Sequence, residues 1–417
     1  MPQPKLATAA KHLRASDLRG AGRLAIDATL GLTSLVENLH SNIASLSLPL
    51  GKPVETPTSG ITGLVYRSVR GVTKLVGGSL DALLGALAAV LERGPAASSP
   101  EREAVLAALN GVLGDHLAAS GNPLALAMRL LHDGRPLDID NFKDMPGLQP
   151  RVMLRLHGLC MNPLQWRHEG RDPVAELAAE GGFTLLDLHY NTGLHISSNG
   201  RELADRLQAV QAAWPLPLDE WVIVVHSMGG LVARSAVHQA RARGDTWSRL
   251  VTKLICIGTP HHGAPLERGG HWIDALLGKS PYSAAFARLG KIRSAGITDL
   301  RHGSVLDADW QSSDRFAASH HDTRTPVPLP EAVDCYAIAG SLGLAPGDLR
   351  TQLLGDGIVP LASALGQHRQ AARRLHFAPD HQWIGQGLNH LELMYHADVG
   401  AQLRRWLLPA QVTAAPA

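Results

Sequence analysis

Ser227 has the sequence surroundings of a serine nucleophile. It lies in the segment Trp221-Val-Ile-Val-Val-His-Ser-Met-Gly-Gly-Leu-Val-Ala-Arg234, where a β-branched run breaks at the serine and helix-forming residues follow. A strand, a tight turn and a helix in this order form a nucleophile elbow, which lifts the serine clear of the sheet. Gly229 is small at the position where the helix presses on a neighbouring strand. We therefore expect covalent chemistry to start at the Ser227 hydroxyl.

Asp356 is the candidate acid. A serine nucleophile needs a histidine to accept its proton and a carboxylate to orient that histidine, and behind such an elbow the acid precedes the histidine in the chain. Asp356 follows the apolar run 333–340 and stands between two glycines in Leu354-Gly-Asp-Gly-Ile-Val-Pro360. Glycines permit positive φ, which suits a loop that turns a carboxylate back into a site. The competing carboxylates are Asp334, Asp348 and Asp380.

His390 is the candidate base. It lies in Leu388-Asn-His-Leu-Glu-Leu393, where it follows Asp356 and opens an amphipathic helix predicted to end near Trp406. The chain holds 21 histidines, so other assignments have to be weighed. Order and neighbours favour His390 over the nearby alternatives, which are His376, His381 and His396.

Two backbone N–H groups are expected to stabilise the tetrahedral intermediate. Loss of one such donor costs roughly 3 to 4 kcal/mol. The first donor is the N–H of Met228, directly after the nucleophile. The second belongs to the loop after the first core strand, which ends in His157-Gly158, so the N–H of Leu159 is the natural candidate.

Five motifs share an order that is typical of one superfamily. They are His157-Gly158, His226-Ser-Met-Gly-Gly230, Gly258-Thr-Pro-His-His-Gly263, Gly355-Asp-Gly357 and Asn389-His-Leu391. Together they resemble the lipase and esterase branch of the α/β-hydrolases over about residues 151 to 405. The resemblance implies an α/β fold with a mostly parallel sheet. It also implies Ser227 as nucleophile, Asp356 as acid, His390 as base, and Leu159 and Met228 as oxyanion donors.

Val225 departs from the family pattern. The pattern GxSxG has glycine two residues before the nucleophile, and here the sequence reads VxSxG. A β-branched side chain adds bulk at a crowded turn. Val225 therefore either strains the elbow or is accommodated by a wider gap between strand and helix.

No metal and no cofactor are expected. Some bacterial lipases of the family bind calcium through an aspartate two residues after the histidine, and this chain has Glu392 there without an Asp-rich loop. The pair His261-His262 also raises the possibility of a metal. Adjacent residues on a strand point to opposite sides, however, and no third ligand is spaced with this pair.

Three further residues are candidates for substrate binding. His226 precedes the nucleophile, and lining the pocket or packing is a better interpretation for it than proton transfer. Tyr190 and Asn191 follow the predicted strand 183–188 at the catalytic edge. A simple turn is the alternative interpretation of the segment Tyr190-Asn-Thr-Gly193.

Composition limits the classes of function. The 417 residues carry a formal charge of +2 from 39 basic and 37 acidic side chains, which gives no basic stripe for nucleic acid. Three cysteines, an odd number, predict no disulfide framework and suit a reducing compartment. The N-terminus lacks an apolar signal region, and no uninterrupted apolar run is long enough for a membrane span. We therefore expect a cytoplasmic protein.

Two regions are predicted along the chain. Residues 1–135 show helical spacing of apolar residues, with a third helix starting after Ser99-Pro100 and a fourth after Asn122-Pro123. Residues 136–417 form the predicted α/β-hydrolase domain, in which strands and helices alternate, with a cap insertion at about 261–331.

The basic residues Arg67, Arg70 and Lys74 surround the apolar stripe of the second predicted helix. Packing of these helices as a layer on the hydrolase is favoured, and peripheral attachment to a lipid surface is the alternative. The oligomeric state is left open. The expected function is hydrolysis of lipophilic carboxylic esters through an acyl-enzyme. The alternatives are an acyltransferase or thioesterase, and a noncatalytic lipid- or protein-binding module.

Overall fold

The fold is seen in a computed structural model, which describes residues 19–20, 23, 100–145, 147–264, 294–311, 322–343 and 355–408. The first two predicted helices, the basic residues of the second one and most of the predicted cap lie outside the described residues. The chain divides into two compact units. One comprises Met1–Arg102 with Leu117–Ala125, and the other comprises Glu103–His116 with Leu126–Ala417.

One eight-stranded sheet forms the centre of the second unit. Its strands are β1 (Arg129–His132), β2 (Arg135–Pro136), β3 (Arg151–Leu156), β4 (Thr184–His189), β5 (Glu220–His226), β6 (Val251–Ile257), β7 (Asp334–Ser341) and β8 (Gln382–Gln386). They are ordered β2-β1-β4-β3-β5-β6-β7-β8. The six strands from β4 to β8 in this order are parallel, and β1 pairs antiparallel with both β2 and β4. The mostly parallel sheet that the sequence predicts is confirmed.

Helices alternate with these strands. They are α1 (Pro100–Ala119), α2 (Pro173–Glu180), α3 (Ile196–Ala213), α4 (Met228–Arg243), α5 (Ala295–Asp299), α6 (Leu361–Ala364) and α7 (Ala397–Leu407). Short 3-10 turns lie at Ile139–Asp144, Pro163–Trp166, Thr246–Arg249, Asp307–Asp309, Ala371–Arg373, Pro379–His381 and Glu392–Met394. Among the helices in the described ranges, none is both long and apolar enough to cross a bilayer.

The central strands form because both faces of their apolar runs are buried. In β5, the residues from Trp221 to His226 are all buried, and Val225 pairs in register with Leu156 of β3 and Cys256 of β6. Strands covered on both faces are read from sequence as continuous apolar runs. Their parallel arrangement brings their carboxyl ends to one edge of the sheet, where the candidate site lies.

The predicted fourth helix is wrong. After Asn122 the chain makes a turn at 123–124 and then runs without a helix into β1, whose residues pair with Asp187, Leu188 and His189 of β4. The Asn122 side chain accepts a hydrogen bond from the N–H of Leu124, which forms a turn rather than a helix cap. Pairing with the sheet therefore decides the conformation of a segment whose local pattern suits a helix. The boundary predicted at 135/136 stays a prediction, although β1 lies before it.

Candidate active site

Ser227 occupies a strained turn between β5 and α4. Its backbone has φ 54° and ψ −125°. Residues other than glycine rarely adopt this combination, which costs about 1–3 kcal/mol. The N–H of Ser227 donates to the carbonyl of Ile257 at 2.8 Å, which joins the turn to the end of β6. The strand, the strained serine and the helix follow one another as the sequence predicts. The serine is buried, with 4% of its surface exposed.

Two glycines allow the elbow to sit close to the loop after β3. A Cβ atom on Gly229 would lie 2.8 Å from the carbonyl oxygen of His157, so only glycine lets α4 approach that backbone. A Cβ on Gly158 would lie 2.9 Å from the Cβ of Ser227. The loop that carries Leu159 is therefore held directly against the predicted nucleophile.

Asp356 and His390 form a buried pair. The Nδ1 atom of His390 lies 2.6 Å from Oδ2 of Asp356, and the two residues are 1% and 2% exposed respectively. The other carboxylate oxygen, Oδ1, accepts from the N–H groups of Ile358 and Val359 at 3.0 and 2.8 Å. These bonds fix the carboxylate so that one oxygen faces the imidazole. Asp348 lies outside the described residues, and of the other three candidate acids Asp356 is the one joined to His390.

Glycines also shape the surroundings of this pair. Gly355 and Gly357 both have positive φ, 53° and 93°, as the sequence predicts for the loop of Asp356. Gly258 has φ 58°, and a Cβ there would lie 3.1 Å from Cε1 of His390. The ends of β6 and β7 thus leave room for the imidazole ring and the carboxylate at the same edge of the sheet.

The Nε2 atom of His390 is buried and has no hydrogen-bond partner among the described residues. The bond from Ser227 Oγ to this atom is therefore not formed in the structure. Catalytic hydrogen bonds are often long without substrate and tighten in the complex. The roles of Ser227, Asp356 and His390 stay predictions.

His226 joins the elbow to the loop of His390. Its Nε2 atom lies 2.9 Å from the backbone oxygen of His390, and the two ring centroids are 4.6 Å apart. Complete burial, with the neighbouring His390 as a lesser cause, lowers the pKa of His226 well below its usual value. A neutral ring that donates from Nε2 fits this geometry. His226 packs inside the site, and its contact with substrate stays a prediction.

The two candidate oxyanion donors are the N–H groups of Met228 and Leu159. The N–H of Met228 is the first of α4, where no carbonyl of the same helix can accept it. Leu159 is 1% exposed and lies between Gly158 and Cys160. Cys160 has φ 60°, and its N–H donates to Oγ1 of Thr192 at 3.1 Å, which fixes the loop directly after Leu159.

Tyr190 and Asn191 are both fully buried, and their polar atoms bind the protein itself. The Tyr190 hydroxyl donates to the backbone oxygen of His157 at 2.8 Å, and its ring stacks on that histidine at 4.6 Å. Asn191 donates to the oxygen of Gly114 and accepts from the N–H of Gly193. As placed, these residues support the loop after β3, and their binding of substrate stays a prediction.

The described part of α1 also supports this loop, which the sequence does not reveal. A Cβ on Gly111 would lie 2.2 Å from Sγ and 2.9 Å from Cα of Cys160. The carbonyl of Gly111 accepts from Ser294 Oγ at 2.6 Å, and Asp115 accepts from the N–H of Ala295. The only signal in the sequence is a pair of helical glycines, Gly111 and Gly114, which could have been read as a close-packing face.

The remaining sequence candidates are those weighed for a metal, Glu392, His261 and His262. Glu392 accepts from the N–H of Asn389 at 2.9 Å, so its carboxylate stabilises the turn that carries His390. The sequence predicts a strand for His261 and His262, but they lie in a turn after β6. His262 lies 2.7 Å from Arg324 and His261 lies 3.3 Å from Arg234. Within the described ranges, no group of three His, Cys, Asp or Glu side chains is arranged to hold a metal.

The strand order and the elbow define this protein as an α/β-hydrolase in fold. Residues 151–329 match the family described as the PGAP1-like alpha/beta domain. The matched segment is less than half of the 417 residues. The match spans β3 to β6 and includes the elbow. The resemblance to the α/β-hydrolase superfamily is therefore confirmed. No curated protein matches the sequence.

Several solved structures are similar at low identity. A Bacillus licheniformis lipase in its mature form is 18% identical, with 64% of this chain and 94% of that chain covered and a TM-score of 0.40. The phospholipase PlaB from Legionella pneumophila is 14% identical, with coverage of 62% and 60% and a TM-score of 0.40. An esterase from Pyrococcus furiosus is 12% identical, with coverage of 62% and 80% and a TM-score of 0.35.

Proposed function

We propose that this protein is a serine hydrolase that cleaves carboxylic esters through an acyl-enzyme. The observation that carries the proposal is the buried 2.6 Å contact between Asp356 and His390 at the sheet edge that also holds the strained Ser227. A histidine held by a buried carboxylate near a serine elbow is the arrangement that activates a hydroxyl for attack.

In the first half-reaction, Ser227 Oγ attacks the ester carbonyl carbon while its proton passes to Nε2 of His390. The carbonyl oxygen becomes an oxyanion that accepts hydrogen bonds from the N–H groups of Leu159 and Met228. Collapse of this intermediate breaks the bond to the alcohol oxygen, which takes the proton from His390. The products of this half are the free alcohol and an acyl group on Ser227.

In the second half-reaction, water attacks the acyl carbon and gives a proton to His390. The ester bond to Ser227 breaks, Oγ recovers the proton, and the carboxylic acid leaves. Two backbone N–H groups and the imidazole all donate to the Asp356 carboxylate. Its role is to hold the tautomer with the proton on Nδ1 and to stabilise the imidazolium that forms.

A lipophilic substrate is supported by the apolar side chains around the proposed nucleophile. Met161 packs beside Gly158 next to Ser227, and Leu393 packs beside Gly258 next to His390. The two residues that carry the proposed oxyanion donors, Leu159 and Met228, are buried and apolar as well. None of these side chains offers a strong hydrogen-bond partner for a polar acyl group. The proposal therefore favours an ester whose acyl part is apolar.

A chain-length panel of p-nitrophenyl esters tests this function. We expect the purified full chain to hydrolyse these esters with a preferred acyl length. Ser227→Ala and His390→Ala should each lower the turnover by several orders of magnitude, because the triad works as a unit. Asp356→Asn should lower it by about 10⁴-fold, since an amide favours the wrong tautomer.

Hydrolysis by Ser227→Ala at the wild-type rate would reject the serine mechanism. If the wild type turns over none of the esters and its serine fails to react with a fluorophosphonate, the noncatalytic binding module becomes the better interpretation. Thioester and acyl-transfer activities are separated by adding acyl thioesters and an acceptor alcohol to the same panel.

A further inference from the structure

A second cleft lies between the later part of α4 and the segment 328–331. Its volume is about 220 Å³. From α4 it is lined by Arg234, Val237, His238 and Arg241, and from the other segment by Pro328, Leu329, Pro330 and Glu331. Arg234 follows Ser227 by seven residues on one helix, which places it about 10 Å along the helix axis from the elbow. The cleft is therefore separate from the candidate active site.

Arg234 is a buried cation with few protein partners. It is 5% exposed, and a guanidinium carries five N–H donors. One nitrogen donates to the oxygen of Val327 at 2.6 Å, and another lies 3.3 Å from Nδ1 of His261. The Nε atom is buried and has no hydrogen-bond partner among the described residues. Donors of this side chain are therefore left over.

The charge of Arg234 also lacks a counterion. Among the described residues, no carboxylate forms an ion pair with it. The nearby groups are Cys256 and Cys335, neutral thiols because burial raises the pKa of each to about 12, and Arg324, which repels it. Burial, as the largest cause, lowers the pKa of Arg234 to about 10, so the group still carries its charge at neutral pH. A buried charge without a partner is costly.

We propose that the cleft lined by Arg234, His238 and Arg241 binds a small oxyanion, a carboxylate or a phosphate. The planar fork of a guanidinium matches the oxygens of both groups. The cleft volume exceeds that of a single anion, and its apolar wall has room for a short carbon chain. A bound anion would supply the missing counterion to Arg234.

Such an anion would also brace the chain that leaves the predicted cap. Arg234 already holds Val327, and Arg241 donates to the backbone oxygen of Glu331 at 2.6 Å. An anion between the two arginines would fix both ends of the segment 327–331. The expected effect is a more stable fold, independent of any reaction at Ser227.

Thermal unfolding with added anions tests the proposal. Sodium phosphate and sodium butanoate are each titrated against the full chain at constant ionic strength set by sodium chloride. Ligand that binds only the folded state raises the Tm along a saturable curve. We expect this curve for at least one anion. Phosphate alone would identify an inorganic or phosphorylated ligand, and butanoate alone would identify a carboxylate.

Arg234→Met should abolish the saturable rise, and Arg241→Met, which changes a residue at the open side of the cleft, should weaken the apparent affinity at least tenfold. Arg206→Met, a control on α3 whose arginine pairs with Glu202, should bind like the wild type. Ser227→Ala should also bind like the wild type, which separates this site from the proposed catalysis.

The proposal is overturned if neither anion gives a saturable rise in the wild type. Unchanged affinity in Arg241→Met would overturn it too, even if Arg234→Met fails to fold.

Discussion

His226 and His390 are joined across the candidate site by a 2.9 Å contact from a ring nitrogen of the first to the backbone oxygen of the second. The first residue directly precedes the elbow serine, and the second is the proposed base. The contact therefore fixes the position of the base relative to the nucleophile. We propose that His226, read from the sequence as packing or pocket lining, positions the base.

We expect His226→Phe to lower kcat about tenfold. The substitution keeps an aromatic ring but removes the donor to the His390 backbone, and a net hydrogen bond contributes about 1.4 kcal/mol, which is tenfold in rate. Steady-state kinetics over a pH series should show the loss mainly in kcat, together with a changed pH profile, because the base itself moves. His381→Phe, a ring far from the elbow that lies against Tyr336, is the matched control. A loss in Tm with unchanged kcat would make His226 a packing residue only.

Gly111→Ala should reduce activity although alanine is the better helix former by about 1 kcal/mol. The added Cβ would lie 2.9 Å from Cα of Cys160, so the loop carrying Leu159 has to shift. Loss of one oxyanion donor costs 10²–10³ in kcat, which sets the upper limit of the effect.

Gly400→Ala is the control for this substitution, because its Cβ would meet only Pro173, at 3.1 Å, and it lies in α7. Rates measured with a good ester substrate should fall for Gly111→Ala and stay within twofold for Gly400→Ala. Equal rates in both variants would show that α1 has no influence on the oxyanion loop.

Val225→Gly should destabilise the protein by about 2–4 kcal/mol without raising turnover. Val225 is fully buried within β5, and glycine removes its packing and adds backbone entropy to the unfolded chain. Urea unfolding measures the loss of stability, and ester kinetics at low temperature, where the variant stays folded, measure the turnover. Higher turnover in the variant would show instead that valine strains the elbow.

Acid should destabilise the fold through His157. Burial lowers the pKa of this histidine to about 3, whereas an unfolded histidine titrates near 6.5. Between these values the unfolded chain binds the extra proton, so stability is complete above pH 6.5 and falls as the pH decreases. At pH 5 the loss from this one group is about 2 kcal/mol. Urea unfolding at pH 7 and pH 5 should show that His157→Gln loses about 2 kcal/mol less than the wild type. An identical loss in both proteins would remove His157 as the cause.

The predicted elements of the α/β region agree closely with the structure. The strand predicted at 251–257 is β6, and the helix predicted at 228–243 is α4. These segments are predictable because burial on both strand faces and a helical face leave a local pattern. The pairing of Asp356 with His390 can be predicted from the chain order and the flanking glycines, although the two residues are 34 positions apart.

The contacts that were missed depend on distant parts of the chain. Nothing in the local pattern of 122–132 shows that it pairs with β4, and nothing near Gly111 shows that it meets Cys160. The unpaired charge of Arg234 follows from which groups surround it after folding. Such properties belong to tertiary packing, which a single sequence does not display.

The most direct test of the central claim is covalent labelling of the native full chain with a fluorophosphonate, followed by peptide mass spectrometry. A serine activated by a neighbouring base reacts with this reagent, and ordinary surface serines do not. The account predicts one phosphonylated peptide with the label on Ser227. It also predicts that labelling is abolished in Ser227→Ala and slowed by orders of magnitude in His390→Ala. An unlabelled wild-type protein that is folded, or a label carried by another serine, would contradict the account.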